Sequence, residues 1–330
     1  MYLDHLRHNL MATETCSYFE LMNTIMNSSQ EYYSTLCSLN IDYYSIIANE
    51  GLADVAKKVG GALKAFALKV KDIIVNLFNK LISFIRGMYQ KIKEKISGKP
   101  GEENNTNAKP NEENKATEAA GSSSSMVYYI ANIDYVPDSF VVKRFNNINA
   151  TLFKFEDAIM QQNDAGNINK ILEEFSNIVE KEKANSQNEY IKSIKDSINA
   201  VQVKAYPNRN RHLDEIESIN MTLERMGKEL EHIKASNEHQ MENVARNIDS
   251  IENKAKEKGL DSKVLTDACR DIVSKRREAI TNHITLSSKI MSFCYNNILA
   301  SLKPFDNQEA AEQYLNELKS KFNEMLSAAQ

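Results

Sequence analysis

The basic side chains of residues 51–99 are the residues of this chain whose type and spacing best indicate chemistry. Four of the lysines are spaced eleven residues apart. Eleven residues make three turns of a nearly straight helix, at about 3.67 residues per turn. Ammonium and guanidinium groups bind carboxylates and phosphates, so the chemistry that this spacing predicts is the binding of anions. The predicted basic face consists of Lys58, Lys69, Lys80, Arg86 and Lys91.

An apolar stripe follows the same eleven-residue repeat along this predicted helix. Its members are Leu63, Phe66, Val70, Ile74, Leu77, Phe78, Leu81, Ile85 and Met88. Residues 51–96 carry nine Lys and one Arg against three acidic residues, a net charge of +7. A long helix that is apolar on one side and Lys-rich on the other is typical of helices that lie in the interface of an anionic membrane.

Two other interpretations of the same helix stay open. Apolar stripes at helical spacing commonly face a protein core or a partner helix. Packaged DNA would need only the positive charge and no apolar stripe. The sequence therefore predicts a binding helix whose ligand is lipid, protein or DNA.

The remaining ionisable residues predict no catalytic, metal or cofactor site. His5 and His8 share a helix face, but no further ligand completes a metal site there. His232 and His239 are expected at the surface of a helix, and Arg276-Arg277 on a solvated face. The cysteines lack zinc or CxxC spacing and are expected to be reduced thiols; they are Cys16, Cys37, Cys269 and Cys294. With no nucleotide-binding loop, HExxH or GxSxG pattern, we expect a protein that is not an enzyme.

The composition predicts an all-α fold, because the chain has ten Gly, five Pro and no Trp among 330 residues. Residues 1–50 form a predicted acidic helical leader, with six acidic residues against one Arg. The amphipathic helix of 51–99 follows. Residues 100–125 are polar, with no large apolar side chain, which predicts a disordered linker. Residues 126–330 are expected to form an elongated helical bundle or coiled coil.

Within that C-terminal region, one stretch has the regular spacing of a coiled-coil seam. Apolar residues alternate in steps of three and four, as in a heptad repeat. The seam residues are Ile216, Ile219, Leu223, Met226, Leu230 and Ile233. The pattern is interrupted at Asn237, which either sets the register of an oligomer or lies at the surface. The seam predicts self-association through a coiled coil.

Turn and cap signals divide the rest of the region into helices. Pro137-Asp138 is a predicted helix start, and a second helix is expected from Asn167 to Val203. Gly259 is expected to end a helix and Asp261 to cap the next one. A last helix is expected from about residue 308 to 328. A strand-rich domain is not expected, because Gly turns are few and period-two alternation is missing.

The leader meets the basic helix at a possible processing site. The sequence there is Ala48-Asn49-Glu50-Gly51, which resembles the small-x-Glu site cut by the prohead proteases of giant tailed phages. The order of acidic leader, small-x-Glu site, basic amphipathic helix, polar linker and helical region resembles the internal head proteins of those phages. The resemblance is one of organisation and covers mainly residues 1–125.

This resemblance implies a non-enzymatic virion protein. Its N-terminal propeptide would be removed after Glu50 by the prohead protease, and the mature protein would lie inside the head after assembly in the host cytoplasm. The partners would be other virion proteins or further copies of this chain, together with packaged DNA or an anionic membrane. The acidic leader would mask the basic helix until cleavage. Two alternatives are an α-helical pore-forming toxin or translocator, and a cytosolic coiled-coil scaffold.

Overall fold

The computed structural model describes residues 52–97, 126–131 and 137–328, and in this part of the chain the fold is all-α, as predicted. The described helices and strands, in chain order, are α1 (Leu52–Ile96), β1 (Val127–Ala131), a π-helical segment (Ser139–Lys143), α2 (Arg144–Gln161), α3 (Ala165–Ala200), β2 (Gln202–Tyr206), α4 (Arg209–Asp249), α5 (Ile251–Lys258), α6 (Ser262–Ser301) and α7 (Gln308–Ala328). The predicted leader, processing site and linker lie outside the described residues.

Short polar side chains begin the helices of the C-terminal region. The side-chain oxygens of Asp164, Asn208, Asp261 and Asn307 each accept a hydrogen bond from a backbone N–H in the first turn of the following helix. These bonds satisfy amide groups that have no partner within the helix. The predicted cap at Asp261 is thereby confirmed.

Gly259 ends α5, as predicted. Its φ of 64° lies in the left-handed region, where glycine avoids the steric cost of a side chain. The N–H of Leu260 donates to Ala255 O at 2.9 Å, and that of Gly259 to Lys256 O at 3.2 Å. This pair of bonds is the usual glycine termination of a helix.

Two short strands, which the sequence does not predict, occur among the helices. β1 and β2 pair antiparallel, with Tyr129 opposite Lys204. Phe305 extends the pairing, because it exchanges backbone hydrogen bonds with Tyr128 at 2.9 and 3.0 Å. The region from residue 126 therefore contains a strand before its first helical segment, and α3 ends at Ala200 instead of Val203. Five-residue strands are too short for their alternation to stand out from the surrounding helical periodicity.

The described residues fall into two compact units. Unit 1 contains those up to Ile85 together with Pro137–Ser193 and Arg225–Ser292. Unit 2 contains those of Arg86–Val136, Ile194–Glu224 and Phe293–Gln330. In unit 2, one face of the strand pair packs on α7; the buried cluster there comprises Ile130, Val201, Phe305, Ala311 and Leu315.

Candidate functional site

The apolar side of α1 is buried within this chain. All nine residues of the predicted apolar face are at most 3% exposed. In unit 1, the ring of Phe78 packs on Phe145 of α2, with 5.0 Å between the ring centroids. In this conformation the face is therefore occupied by the protein's own side chains and is closed to lipid or to a second chain.

The free energy of this burial is large. Burying one large apolar side chain contributes about 1.5–3 kcal/mol, so nine of them contribute roughly 15–25 kcal/mol as an upper estimate. A whole domain is stable by only about 5–15 kcal/mol. Moving α1 out into water would thus remove the stability of the fold, and α1 belongs to the core.

Lys64 and Lys71, in the first part of α1 whose side chains are described, are paired with acidic residues of α4. Lys64 Nζ lies 2.5 Å from Asp249 Oδ2, and Lys71 Nζ lies 3.4 Å from Glu242 Oε1. Glu238 Oε1 is 3.9 Å from the same Lys71 nitrogen. These contacts lie within unit 1, and their carboxylates already compensate the charge of both lysines.

The lysines in the last two turns of α1, in unit 2, have no such compensation. Lys91, Lys93 and Lys95 form no ion pair with any described residue. Glu94 lies among them in sequence and forms no ion pair with a described residue either. Lys93 Nζ lies 5.7 Å from the centre of the Tyr89 ring, a weak cation–π contact. Lys93 and Lys95 are exposed and Lys91 is half-buried, so this helix end presents positive charge that no described carboxylate compensates.

The five residues of the predicted basic face differ in their surroundings. Lys80 and Arg86 are exposed, whereas Lys69 and Lys91 are half-buried. Lys58 lies on α1, but its side chain is outside the described ones. Lys80 also forms no ion pair with a described residue. Sequence reasoning missed Lys93 and Lys95 because they fall outside the eleven-residue spacing; their position two and four residues after Lys91 was the available signal.

The six predicted seam residues of α4 are likewise buried within the chain, each at most 8% exposed. Asn237, where the pattern is interrupted, is fully buried as well. Its Nδ2 donates to Ile233 O at 2.9 Å, and its Oδ1 accepts from Arg276 Nη1 at 3.2 Å. Asn237 is therefore an interior residue of one chain, and a surface position for it is excluded.

The prediction of a solvated Arg276-Arg277 pair is wrong. Arg276 is 0% exposed, and its Nε donates to Glu156 Oε1 at 2.7 Å. Arg277 is also buried. The reason is the position of α6, which has buried residues on nearly every side and therefore has no wide solvated face. A buried ion pair compensates two charges that would otherwise be expensive to remove from water.

Two further buried histidines were missed by sequence reasoning. In unit 1, burial lowers the pKa of His283 to about 3, so the ring is neutral. Its Nε2 lies 3.3 Å from Val141 O in the π-helical segment, and its ring is edge-on to Phe145 at 4.3 Å. Because a carbonyl oxygen can only accept, Nε2 is the nitrogen that carries the proton.

The second histidine, His212, lies in unit 2. Its Nε2 donates to Ser301 O at 2.7 Å, and its ring stacks on Tyr129 at 3.9 Å. Burial lowers the pKa of His212 and raises that of the Tyr129 hydroxyl. His232 and His239 are exposed on α4, as predicted. The two buried rings are held neutral in apolar surroundings, where they stabilise packing.

The thiols of α6 have surroundings that suppress reactivity. Cys269 and Cys294 are buried thiols that form no disulfide, and burial raises the pKa of each to about 12. A thiol with so high a pKa has almost no nucleophilic thiolate at neutral pH. Among the described residues, no three metal-ligating side chains lie close enough together to hold an ion. Cys16, Cys37, His5 and His8 lie outside the described residues.

A small cleft between α2, α4 and α6 in unit 1 is lined by apolar and amide side chains and by two acidic residues, Glu156 and Asp157. Glu156 is already bound to Arg276, and Asp157 accepts from Gln161 at 2.7 Å. The cleft therefore lacks a free acid–base pair.

Among residues 52–97, 126–131 and 137–328, no helix combines the length and apolarity that a membrane crossing requires.

Comparison of the chain with protein-family models, with curated proteins and with solved structures finds no match. Helix α1 therefore carries the candidate functional surface of the described residues. This helix has a closed apolar side, lysines compensated by α4 and, at its C-terminal end, three lysines that no described carboxylate compensates.

Proposed function

We propose that this protein is a non-enzymatic structural protein of a tailed-phage virion, carried inside the head, whose helix α1 contacts packaged DNA through its basic side chains. The observation that carries the proposal is the division of α1 into a buried apolar side and outward lysines, several of which have no carboxylate partner among the described residues. Its partners would also include other virion proteins and the prohead protease.

The burial of the apolar side favours DNA over a membrane as the ligand of α1. A helix binds in a bilayer interface by inserting its apolar side, with electrostatic attraction as a second contribution. In the folded protein the insertion contribution is missing, because that side is filled by residues such as Phe145. DNA binding depends on the release of counterions by lysine and arginine and needs no apolar side.

The start of α1 is consistent with cleavage after Glu50. The helix begins at Leu52, so removal of residues 1–50 would leave every described helix and strand complete. The acidic leader, with its net charge of −5, would be the part that is lost. What remains would be more positive by the same amount and better suited to a polyanion.

Mass spectrometry of the protein from purified particles tests both the location and the processing. We expect an N-terminal peptide that begins at Gly51. Recovery of the protein with an intact Met1 terminus would overturn the processing, and its absence from purified particles would overturn the virion assignment.

A binding assay separates this function from its alternatives. The full chain and the chain that begins at Gly51 are each titrated with duplex DNA of mixed sequence and with vesicles of neutral or anionic lipid. Salt-sensitive DNA binding supports the proposal. Binding to vesicles alone would favour a membrane-active toxin or translocator, and binding to neither would favour a cytosolic scaffold.

A further inference from the structure

We infer that the DNA-contacting surface of α1 is its C-terminal end, formed by Lys91, Lys93 and Lys95, and that the lysines paired with α4 take no part. This inference rests on the proposed function and names the residues that perform it. The three residues are called the lysine cluster below. Its proposed ligand is the phosphate backbone of duplex DNA.

The first argument is the difference in charge compensation along α1. Lys64 and Lys71 each lie within 3.4 Å of a carboxylate oxygen of α4. A phosphate that bound them would have to compete with Asp249 and Glu242, which remain attached to the same protein. The lysine cluster has no described carboxylate partner to displace, so the whole of its attraction is available to a ligand.

The second argument is charge density. Lys91 and Lys95 lie about one turn apart on the same side of the helix, about 6 Å along its axis, and Lys93 projects from the opposite side of that turn. Duplex DNA carries one negative charge per about 1.7 Å of its axis, so several phosphates lie within reach of this helix end. Glu94 reduces the net charge of the cluster to +2, but it forms no ion pair with any of the three ammonium groups.

The third argument concerns the apolar surroundings. Ile92, between the lysines in sequence, is fully buried. The helix end is thus anchored by its apolar side, while the Lys93 and Lys95 side chains are exposed. An anchored helix end holds its ammonium groups near a ligand without first having to fold, and its buried side offers nothing to a lipid chain.

The test compares two triple variants that lose the same charge. Each variant is made both in the full chain and in the chain that begins at Gly51. The first is Lys91→Gln with Lys93→Gln and Lys95→Gln. The matched control is Lys64→Gln with Lys71→Gln and Lys183→Gln. Lys183 Nζ is 2.6 Å from Glu278 Oε1, so all three control lysines are ion-paired. Both variants lose the same net charge of three.

The measurement is the affinity for duplex DNA as a function of salt concentration. Each lost phosphate contact lowers the salt slope by about 0.9, so the lysine-cluster variant should lose about 3 from the slope. At 0.1 M salt we expect its affinity to fall roughly a hundredfold. The control should keep the wild-type slope. Circular dichroism of both variants establishes that the helices are retained.

The possible failures of the two proposals differ. If wild-type protein binds DNA and the two triple variants weaken it equally, the lysine cluster is overturned while the DNA-binding function stands. If neither wild-type form binds DNA, the proposed DNA contact itself is overturned. If the wild type binds anionic vesicles but not DNA, and only the lysine-cluster variant loses the vesicle binding, DNA is overturned as the partner of the cluster.

Discussion

The interior and the outward surface of the long helices use positively charged residues for different purposes. Arg276 lies in the core of unit 1, where its Nε donates to Glu156 and its Nη1 donates to Asn237. Lys93 and Lys95 lie at the end of α1, where both side chains are exposed and neither forms an ion pair with a described residue. A cation inside the bundle contributes to one specific arrangement of helices, whereas a cation outside it contributes little to stability and remains available for binding. The difference is one of environment, because both kinds of residue lie on long helices.

The largest expected effect of a single substitution is at the apolar side of α1. Phe78→Ala removes a fully buried ring that packs on Phe145. We expect the free energy of unfolding to fall by about 3–5 kcal/mol, because a cavity replaces the ring. Urea unfolding followed by circular dichroism measures this loss.

The matched control for Phe78 is another phenylalanine on a helix of unit 1. Phe153 is 53% exposed, so Phe153→Ala should change stability by less than about 1 kcal/mol. Equal stability of Phe78→Ala and the wild type would mean that α1 does not pack on the body in solution. That result would favour an anionic membrane over DNA as the ligand of α1.

Loss of the buried guanidinium is expected to have a somewhat smaller effect. Arg276→Met leaves the carboxylate of Glu156 buried without its partner, which costs about 3–4 kcal/mol. Adding Glu156→Gln should recover part of this loss, because an amide carries no charge that needs compensation. The comparison is again made by urea unfolding.

An exposed arginine supplies the control for Arg276. Arg225 Nη2 lies 3.1 Å from Asp138 Oδ2, with the arginine side chain largely exposed. Arg225→Met should cost no more than about 1 kcal/mol, as for other exposed ion pairs. If the two arginine variants were equally stable, the contrast between interior and surface cations would be refuted.

Much of this architecture could be predicted from the sequence, because helical periodicity reports which side of a helix is buried. The nine apolar residues of α1 and the six seam residues of α4 are buried as their spacing implies. Gly259 and Asp261 could be placed because each has a local stereochemical role. A periodic apolar stripe predicts which side of a helix is buried, but it does not predict what covers that side. The side chains that cover the apolar side of α1 could therefore be identified only from the structure.

Other features depend on contacts distant in sequence and left weaker signals. β1 pairs with a segment about 75 residues later in the chain, and neither strand is long enough to show a clear alternation. Arg276 and His283 lie on α6, whose apolar residues occur on several sides. A helix that is apolar nearly all round is buried, so its polar residues should be assigned to the interior. That rule would have corrected the prediction for Arg276-Arg277.

The smallest of the expected stability effects is the pH dependence that His283 confers. Its pKa is about 3 in the folded protein, because burial disfavours the charged ring and Arg144 lies near it; the ordinary value is about 6.5. Below pH 6.5 the unfolded chain binds a proton that the folded chain does not. Stability is therefore complete above about pH 6.5 and falls as the pH is lowered towards 3, by up to about 1.4 kcal/mol per pH unit.

Urea unfolding at pH 7.5 and pH 5 measures this dependence. We expect His283 to account for a loss of about 2 kcal/mol over that interval, and His283→Gln should remove this contribution. His212 has a lowered pKa as well, so some dependence of the same sign should persist in the variant. The control is His232→Gln, which removes an exposed histidine of α4. An unchanged pH dependence in His283→Gln would place that ring in contact with water and would weaken the distinction between the interior and the surface of the bundle.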